Sequence, residues 1–106
     1  MQKISCVVSS VRIVSMNNQQ INKAVRVLKA VANEKRLRVL YYISEEEKSV
    51  GDIEKQIGLS HSALSQHLAV LRADDIVETR REAQTIFYVL KDEKTKQILH
   101  LVKELF

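Results

Sequence analysis

A cluster of short polar side chains lies in the stretch GLSHSALSQHL, residues 58 to 68. It holds three serines, two histidines and one glutamine between leucines, and it contains no charged residue. Serine costs about 0.5 kcal/mol relative to alanine inside a helix, so a purely structural helix rarely collects this set. Hydroxyl, imidazole and amide groups can instead donate to and accept from the base edges and phosphates of a nucleic acid duplex.

The helical period divides this stretch into two faces. At about 100° per residue, Leu64, Leu68 and Leu71 form one stripe. Small or polar side chains occupy the opposite side: Ser62, Ser65, Gln66, Ala69 and Ala73. Such a face lets the helix backbone approach a major groove closely, where glutamine can bind adenine through two hydrogen bonds. We therefore predict a recognition helix over residues 60 to 73, with base contacts from His61, Ser62, Ser65 and Gln66.

Two further side chains of this helix receive different predicted roles. Arg72 projects near the polar face and can reach a phosphate. His67 falls on the flank of the leucine stripe, which favours a partly buried, hydrogen-bonded histidine over a base contact. The alternative for the serines is capping and simple solvent exposure.

The elements before this helix follow from caps and apolar spacing. Apolar residues from Ile21 to Ala32 recur at helical spacing and predict a first helix, and Asn33 can cap a second helix from Glu34 to about Ile43. Ser49 can cap a short third helix, and Ser60 the recognition helix. Gly58 between them supplies a sharp turn, so the sequence predicts a helix-turn-helix.

A change of period follows Asp75. IVETRR and TIFYVL are β-rich runs joined by Glu82, Ala83 and Gln84, which predicts an antiparallel hairpin, or wing. Arg80, Arg81 and Gln84 are predicted to form a small cationic cluster near its tip, suited to the phosphate backbone or the minor groove. The alternative is an edge strand protected by charge against aggregation.

The tail from Asp92 to Phe106 returns to helical spacing with a wide apolar face. We predict that it forms a homodimer interface with the first helix; alternatively, it closes its own core. The fold class is thus mainly α with a small β-hairpin wing. Residues 17 to 106 form one domain, and residues 1 to 16 are a flexible or poorly assigned extension.

Composition limits the partners. The chain has 106 residues and a net charge of +4. Its first 38 residues hold eight Lys and Arg against Glu34 alone, so the basic character is regional, as expected of a chain that meets a polyanion. No apolar run reaches the roughly 18 residues of a membrane span, and no signal peptide is expected. The single cysteine, Cys6, suits a reducing compartment, so we expect a cytoplasmic protein.

Three strings, in this order of elements, resemble the ArsR/SmtB family of small bacterial winged-helix repressors. They are ANEKRLRVL at 32 to 40, SVGDIEKQIGLSHSALSQHLAVLR at 49 to 72 and ETRREAQTIFYVL at 78 to 90. The resemblance implies a homodimeric repressor that binds palindromic operator DNA and releases it on an effector signal. By the same resemblance, the recognition contacts fall on His61, Ser62, Ser65 and Gln66, and the wing contact on Arg81 or its neighbours.

The effector sites of the family transfer poorly. Its metal sensors use paired cysteines near the third helix, or acidic and histidine ligands on the last helix; here only His100 and Glu104 remain, too few for a zinc site from one chain. The chain is most similar to the HlyU and BigR type of redox or persulfide sensors. Their first cysteine corresponds to Tyr41, and the chain stops at Phe106, about where the second would follow. We therefore expect no metal or cofactor, and assign Cys6 at most a redox role on its own.

Two other function classes match parts of this pattern. His61 and Ser65 lie one helical turn apart, as a base and nucleophile would, but no acid is evident behind the histidine and no oxyanion loop accompanies them, so we predict no enzyme. A non-sensing winged-helix module that binds DNA or protein, controlled by abundance or displacement, is the main alternative. A purely electrostatic binder would place Lys or Arg on the recognition helix, whereas the uncharged face here favours sequence readout.

Overall fold

The computed structural model describes residues 15–106. In chain order the elements are α1 (Asn18–Val31), α2 (Glu34–Ser44), β1 (Lys48–Ser49), α3 (Val50–Ile57), α4 (His61–Ala73), β2 (Val77–Glu82), β3 (Thr85–Leu90) and α5 (Glu93–Leu105). Helices α3 and α4 with the turn between them form the helix-turn-helix, and the hairpin of β2 and β3 is the wing. The predicted fold class is confirmed. Cys6 and nearly all of the predicted extension lie outside the described residues.

Polar caps set the start of every helix in this part of the chain. The side chains of Asn33, Ser49 and Ser60 accept hydrogen bonds from backbone N–H groups three residues later, as predicted. Asn17 and Gln20 form a reciprocal capping box at the start of α1. Because this box supports a polar first turn, α1 begins three residues before the apolar pattern at Ile21.

The sheet has one strand more than the predicted hairpin. Its order is β1-β3-β2 with antiparallel neighbours, and Lys48 and Ser49 of β1 pair with Tyr88 and Phe87 of β3. β1 has only two residues, so it has no period that the sequence could reveal. Ser49 is at once the last residue of β1 and the N-cap of α3. This shared residue joins the wing directly to the helix-turn-helix.

Three residues with positive φ bend the chain at the ends of the recognition elements. Gly58 ends α3 with φ 77°, in the left-handed region that glycine adopts without strain. Asp75, with φ 56°, ends α4 in a Schellman motif, since its N–H donates to the Arg72 carbonyl and that of Ile76 to Leu71. Ala83, with φ 57°, begins the two-residue turn of the wing. The turns before and after α4 are therefore both sharply defined.

The core packs α4 against the other helices and the sheet. Leu40, Ile43, Ile53, Leu64 and Leu71 are almost completely buried. Val77, Tyr88 and Leu90 cover this core from the sheet, and Leu99 from α5. The leucine stripe of α4 is thus its buried side, so its orientation is fixed by the core.

Apolar side chains also remain on the surface of the single chain. Ile21, Val25 and Leu28 of α1 are 40–50% exposed, and Leu101, Leu105 and Phe106 at the end of α5 are 45–99% exposed. We call these six residues the exposed apolar surface. The tail therefore does not close entirely on its own core, although Leu99 is buried. None of the helices within residues 15–106 is long and apolar enough to cross a membrane.

Candidate nucleic-acid interface

The outward side of α4 carries the predicted small and polar residues. Ser62, Ser65, Gln66, Ala69 and Ala73 are all exposed, whereas Leu64, Leu68 and Leu71 are buried. We call the first five residues the recognition face. It bears no charge, and its side chains are short enough for the helix backbone to approach a groove closely.

The start of α4 is held by α3 through His61. Its Nδ1 lies 2.5 Å from Oε2 of Glu54, and 74% of the His61 side chain is exposed. This contact orients the imidazole at the N-terminus of α4, and most of the ring remains exposed to solvent. The expectation that no acid stands behind His61 is therefore wrong. Even so, His61 makes no hydrogen bond to a serine within residues 15–106, so Glu54 and His61 have no nucleophile paired with them.

His67 has the packing role that its position on the wheel predicted. It is half-buried, and its Nδ1 lies 3.3 Å from Nη1 of Arg36, so it accepts a hydrogen bond in the neutral form. Burial lowers the pKa of His67, and the nearby charges of Arg36 and Lys35 lower it further. Arg36 also donates to the carbonyls of Ala30 and Lys29 at the end of α1. One guanidinium thus connects α1, α2 and α4.

The end of α4 carries an exposed arginine and a half-buried carboxylate. Arg72 is exposed in the last turn, which leaves it accessible to a phosphate. Asp74, the C-cap, has 18% of its side chain exposed and binds Arg26 of α1. Sequence reasoning missed this pair because its residues lie 48 positions apart.

The two wing arginines do not form the joint cluster that was predicted. Successive residues of a strand point to opposite faces, and Arg80 pairs in register with Phe87 whereas Arg81 pairs with Ile86. Arg81 therefore shares a face with the buried Tyr88 and Leu90 near the hairpin tip, and Arg80 lies on the other face. Both Arg81 and Gln84, in the turn, are exposed.

Arg80 is engaged within the protein. Its Nε and Nη2 lie 3.1 and 2.5 Å from the two carboxylate oxygens of Glu47, its Nη1 lies 3.2 Å from Glu82, and its guanidinium stacks 4.6 Å from the Phe87 ring. The hydrogen bond from Arg80 lowers the pKa of Glu47, and the two carboxylates raise the pKa of Arg80. Because Glu47 directly precedes β1, this cluster fastens the wing to the chain before α3. Arg81 forms no ion pair with another residue of 15–106, so it is the more available of the two for a phosphate.

The residues considered above as possible effector ligands are not arranged as a metal site in residues 15–106. His100 and Glu104 are exposed on α5, and no group of three His, Cys, Asp or Glu within residues 15–106 is arranged to hold a metal ion. Tyr41 donates its hydroxyl proton to the Leu99 carbonyl at 2.6 Å. This hydrogen bond links α2 to α5.

Comparison with known proteins identifies the family. The family model described as bacterial regulatory protein, arsR family, matches residues 33–79. The transcriptional activator HlyU of Vibrio cholerae is 47% identical over 95 residues, which span 86% of this chain and 88% of HlyU. The chain belongs to the arsR family of bacterial regulatory proteins.

Solved structures of the family show the same fold. HlyU from Vibrio cholerae superposes with a TM-score of 0.82 over 85% of this chain and 98% of HlyU. In sequence, a second relative is the biofilm growth-associated repressor of Xylella fastidiosa (strain Temecula1), which is 39% identical over 88 residues, 83% of this chain and 77% of that protein. A homodimeric winged helix-turn-helix DNA-binding domain from Mycobacterium bovis is 26% identical, with a TM-score of 0.75 over 88% of this chain and 89% of that domain. This arsR-family chain is a winged-helix, DNA-binding transcriptional regulator.

Proposed function

We propose that two copies of this chain pair through the exposed apolar surface of α1 and α5. Six apolar side chains on α1 and at the end of α5 are exposed, and exposed apolar surface of this kind marks subunit interfaces. The homodimeric domain from Mycobacterium bovis has the same fold and supports this assembly. A twofold dimer presents two copies of α4, so its operator is a palindrome.

The recognition face of α4 reads bases in this proposal. The two copies of α4 enter successive major grooves, with half-sites about 34–36 Å apart. His61, Ser62, Ser65 and Gln66 contact base edges, and Ala69 and Ala73 leave room for thymine methyl groups. The observation that carries the proposal is the exposed, uncharged recognition face directly opposite a fully buried leucine stripe.

Cationic and polar groups around this face contact the DNA backbone. Arg72 lies at the end of α4, and Arg81 and Gln84 lie at the tip of the wing. We assign these three to phosphates flanking each half-site. Arg80 was predicted to join them; its two carboxylate partners favour a contact that is made only after part of that network opens.

We propose that binding represses transcription and takes place in the cytoplasm, where a bacterial chromosome is found. The relatives' names cover both signs of control, since HlyU is named an activator and the Xylella fastidiosa protein a repressor. A dimer seated over a promoter excludes the polymerase by occupancy alone, without any contact to it. Repression therefore requires no protein surface for binding the polymerase, whereas activation by contact would.

A second candidate is a regulator without an effector, controlled by its abundance or by displacement from DNA. The Tyr41 hydroxyl and the Leu99 carbonyl join α2 to α5 by a hydrogen bond that oxidants do not break. If this is how the chain works, operator affinity stays the same with reductant, with peroxide and with Zn²⁺. A tenfold or larger change under any of these conditions would contradict it.

The test of readout begins with selection of bound sequences from a pool of randomised duplexes. Fluorescence anisotropy then compares the selected duplex with a shuffled one at two salt concentrations. We expect a preference of about 1,000-fold or more. Similar, steeply salt-dependent binding to both duplexes would instead indicate a nonspecific module.

Variants assign the preference to α4. Ser65→Ala and Gln66→Ala each remove about 1–3 kcal/mol of discrimination between the selected and shuffled duplexes. Gln19→Ala, an exposed glutamine in the first turn of α1, is the matched control and leaves the preference unchanged. Equal losses of affinity on both duplexes would contradict the assignment of these side chains to base contacts.

A further inference from the structure

The last turn of α4 is connected to α1 by a single arginine. Both Nε and Nη2 of Arg26 lie within hydrogen-bond distance of one Asp74 oxygen, at 3.2 and 2.8 Å. Asp74 has 18% of its side chain exposed, whereas Arg26 has 68%. The carboxylate is thus the enclosed partner, and Arg26 is the group that reaches in to neutralise it.

The end of α4 carries two carboxylates against one local cation, Arg72. A helix C-terminus carries partial negative charge, and carboxylates placed there destabilise it. Asp74 and Asp75 both occupy that end, and Asp75 also adopts a positive φ in the Schellman motif. Arg26 adds a compensating charge from α1 through its ion pair with Asp74, and Lys91 makes a more distant contribution, with its Nζ 4.0 Å from Asp75. The end of α4 is therefore held in place by charges from other elements.

Arg26 also belongs to the helix that carries half of the exposed apolar surface. It follows Val25 directly, and both Val25 and Leu28 are exposed on α1. Arg36 makes a second connection farther along, because it bonds to the last-turn carbonyls of α1 and to His67 of α4. Side-chain contacts therefore connect α1 to α4 at two points, and the ion pair of Arg26 and Asp74 is one of them.

We propose that Arg26 is a positioning residue for DNA recognition: through Asp74 it sets the angle of each recognition helix relative to the dimer interface, and so the half-site spacing that the dimer accepts. This rests on the proposed binding of a palindrome by two copies of α4. Arg26 contacts no base in this arrangement, and its effect on DNA passes entirely through Asp74.

The test measures affinity for the selected operator and for versions with one base pair added or removed between the half-sites. Wild-type protein prefers its own spacing, and Asp74→Asn and Arg26→Gln both lower affinity for that spacing by about 10-fold, a typical size for coupling between two sites. Both also reduce the difference between the three spacings. Lys29→Gln, an exposed cation three residues later on α1, is the matched control and changes neither quantity.

Asp74→Asn separates positioning from a direct phosphate contact. If Arg26 instead bound DNA, Asp74→Asn would free it and raise affinity, whereas Arg26→Gln would lower affinity and flatten the salt dependence. The charge-exchanged double variant Arg26→Asp with Asp74→Arg restores the spacing preference if the pair acts by position. Unchanged spacing preference in both single variants would overturn the proposal.

Failure of the underlying function gives a different result. If wild-type protein shows no preference for any selected duplex, the binding of a palindrome through α4 is wrong, whatever the variants do. Thermal unfolding of each variant accompanies the binding measurements. A loss of spacing preference only in variants that are partly unfolded at the assay temperature would also count against the positioning role.

Discussion

Helices α1 and α4 both leave one face open, but the two faces differ in chemistry. α1 exposes Ile21, Val25 and Leu28, whereas α4 exposes serine, glutamine and alanine while burying its leucines. An exposed apolar stripe gains free energy only when another apolar surface covers it. A polar face with short side chains instead keeps its hydrogen bonds to water until it meets base edges. In the proposed function, this difference separates the face that binds a second copy of the chain from the face that binds DNA.

The largest effect is expected from placing a charge on the α1 face. Leu28→Glu should raise the dimer dissociation constant by about 1,000-fold or more, because a twofold interface then buries two unpaired carboxylates, each costing several kcal/mol. Sedimentation velocity over a concentration series measures this. Gln19→Glu, on the opposite side of the same helix, adds the same charge and should leave the dimer intact. Unchanged dimerisation of Leu28→Glu would show that α1 faces something other than its own copy.

The second prediction places an apolar side chain on the polar face of α4, so that this face resembles that of α1. Ser65→Leu should lower operator affinity by about 10- to 100-fold, in line with about 1–3 kcal/mol for a base contact. Since Ser65 is exposed, the free energy of unfolding should change by no more than about 0.5 kcal/mol. Anisotropy and urea denaturation measure the two quantities. Full operator affinity in Ser65→Leu would remove Ser65 from the DNA interface.

The wing provides a comparison between two neighbouring cations. Arg81→Ala should weaken binding to every duplex and reduce the slope of log affinity against log salt by about 0.9 for each phosphate that Arg81 neutralises. Arg80→Ala should leave this slope nearly unchanged, because Glu47 and Glu82 already neutralise Arg80. Anisotropy titrations at four or more salt concentrations measure both slopes. A larger change for Arg80 would mean that its carboxylate partners release it on DNA.

The smallest effect concerns His67, where α1 and α4 are joined through Arg36. Because the folded state lowers the pKa of His67 below its ordinary value of 6.5, the unfolded chain binds more protons near that pH. The contribution of neutral His67 to the free energy of unfolding is thus complete above pH 6.5. It is lost as the pH falls through the lowered pKa of His67 in the folded state. His67→Asn keeps an acceptor but does not titrate, so its urea midpoint should fall less between pH 7 and pH 5 than that of wild type. Parallel decreases in the two urea midpoints would show that His67 is not the source of the pH dependence.

Helix boundaries could be predicted where their determinants are local. Asn33, Ser49 and Ser60 cap helices as predicted, because a cap depends on residues only three positions away. The start of α1 was placed too late because Asn17 and Gln20 make a polar first turn that has no apolar period. Strand β1 was missed for a different reason. Its two residues become a strand only by pairing with β3, about 40 positions along the chain.

The recognition face could be predicted from the sequence, but the hydrogen-bonding partners of the site residues could not. The helical period alone placed Ser65 outward and Leu64 inward, since that assignment needs no knowledge of other elements. The partners of the site residues come from other helices and loops: Glu54 for His61, Arg36 for His67 and Glu47 for Arg80. The last two pairs join residues 31 and 33 positions apart. Such contacts depend on how the elements pack, which no local pattern specifies.

Ser49 has a consequence for how operators can vary. It pairs with Phe87 in the sheet while its hydroxyl caps α3, so a tilt of the wing would pull on the first helix of the helix-turn-helix. The ion pair between Arg80 and Glu47 reinforces this connection, since Arg80 pairs with the same Phe87 in the sheet. If each subunit binds one half-site as proposed, the distance from the wing to the recognition helix is already fixed before DNA is bound. Natural operators for this regulator should then keep the same base-pair sequence within each half-site. Base changes should be tolerated mainly in the base pairs between the two half-sites.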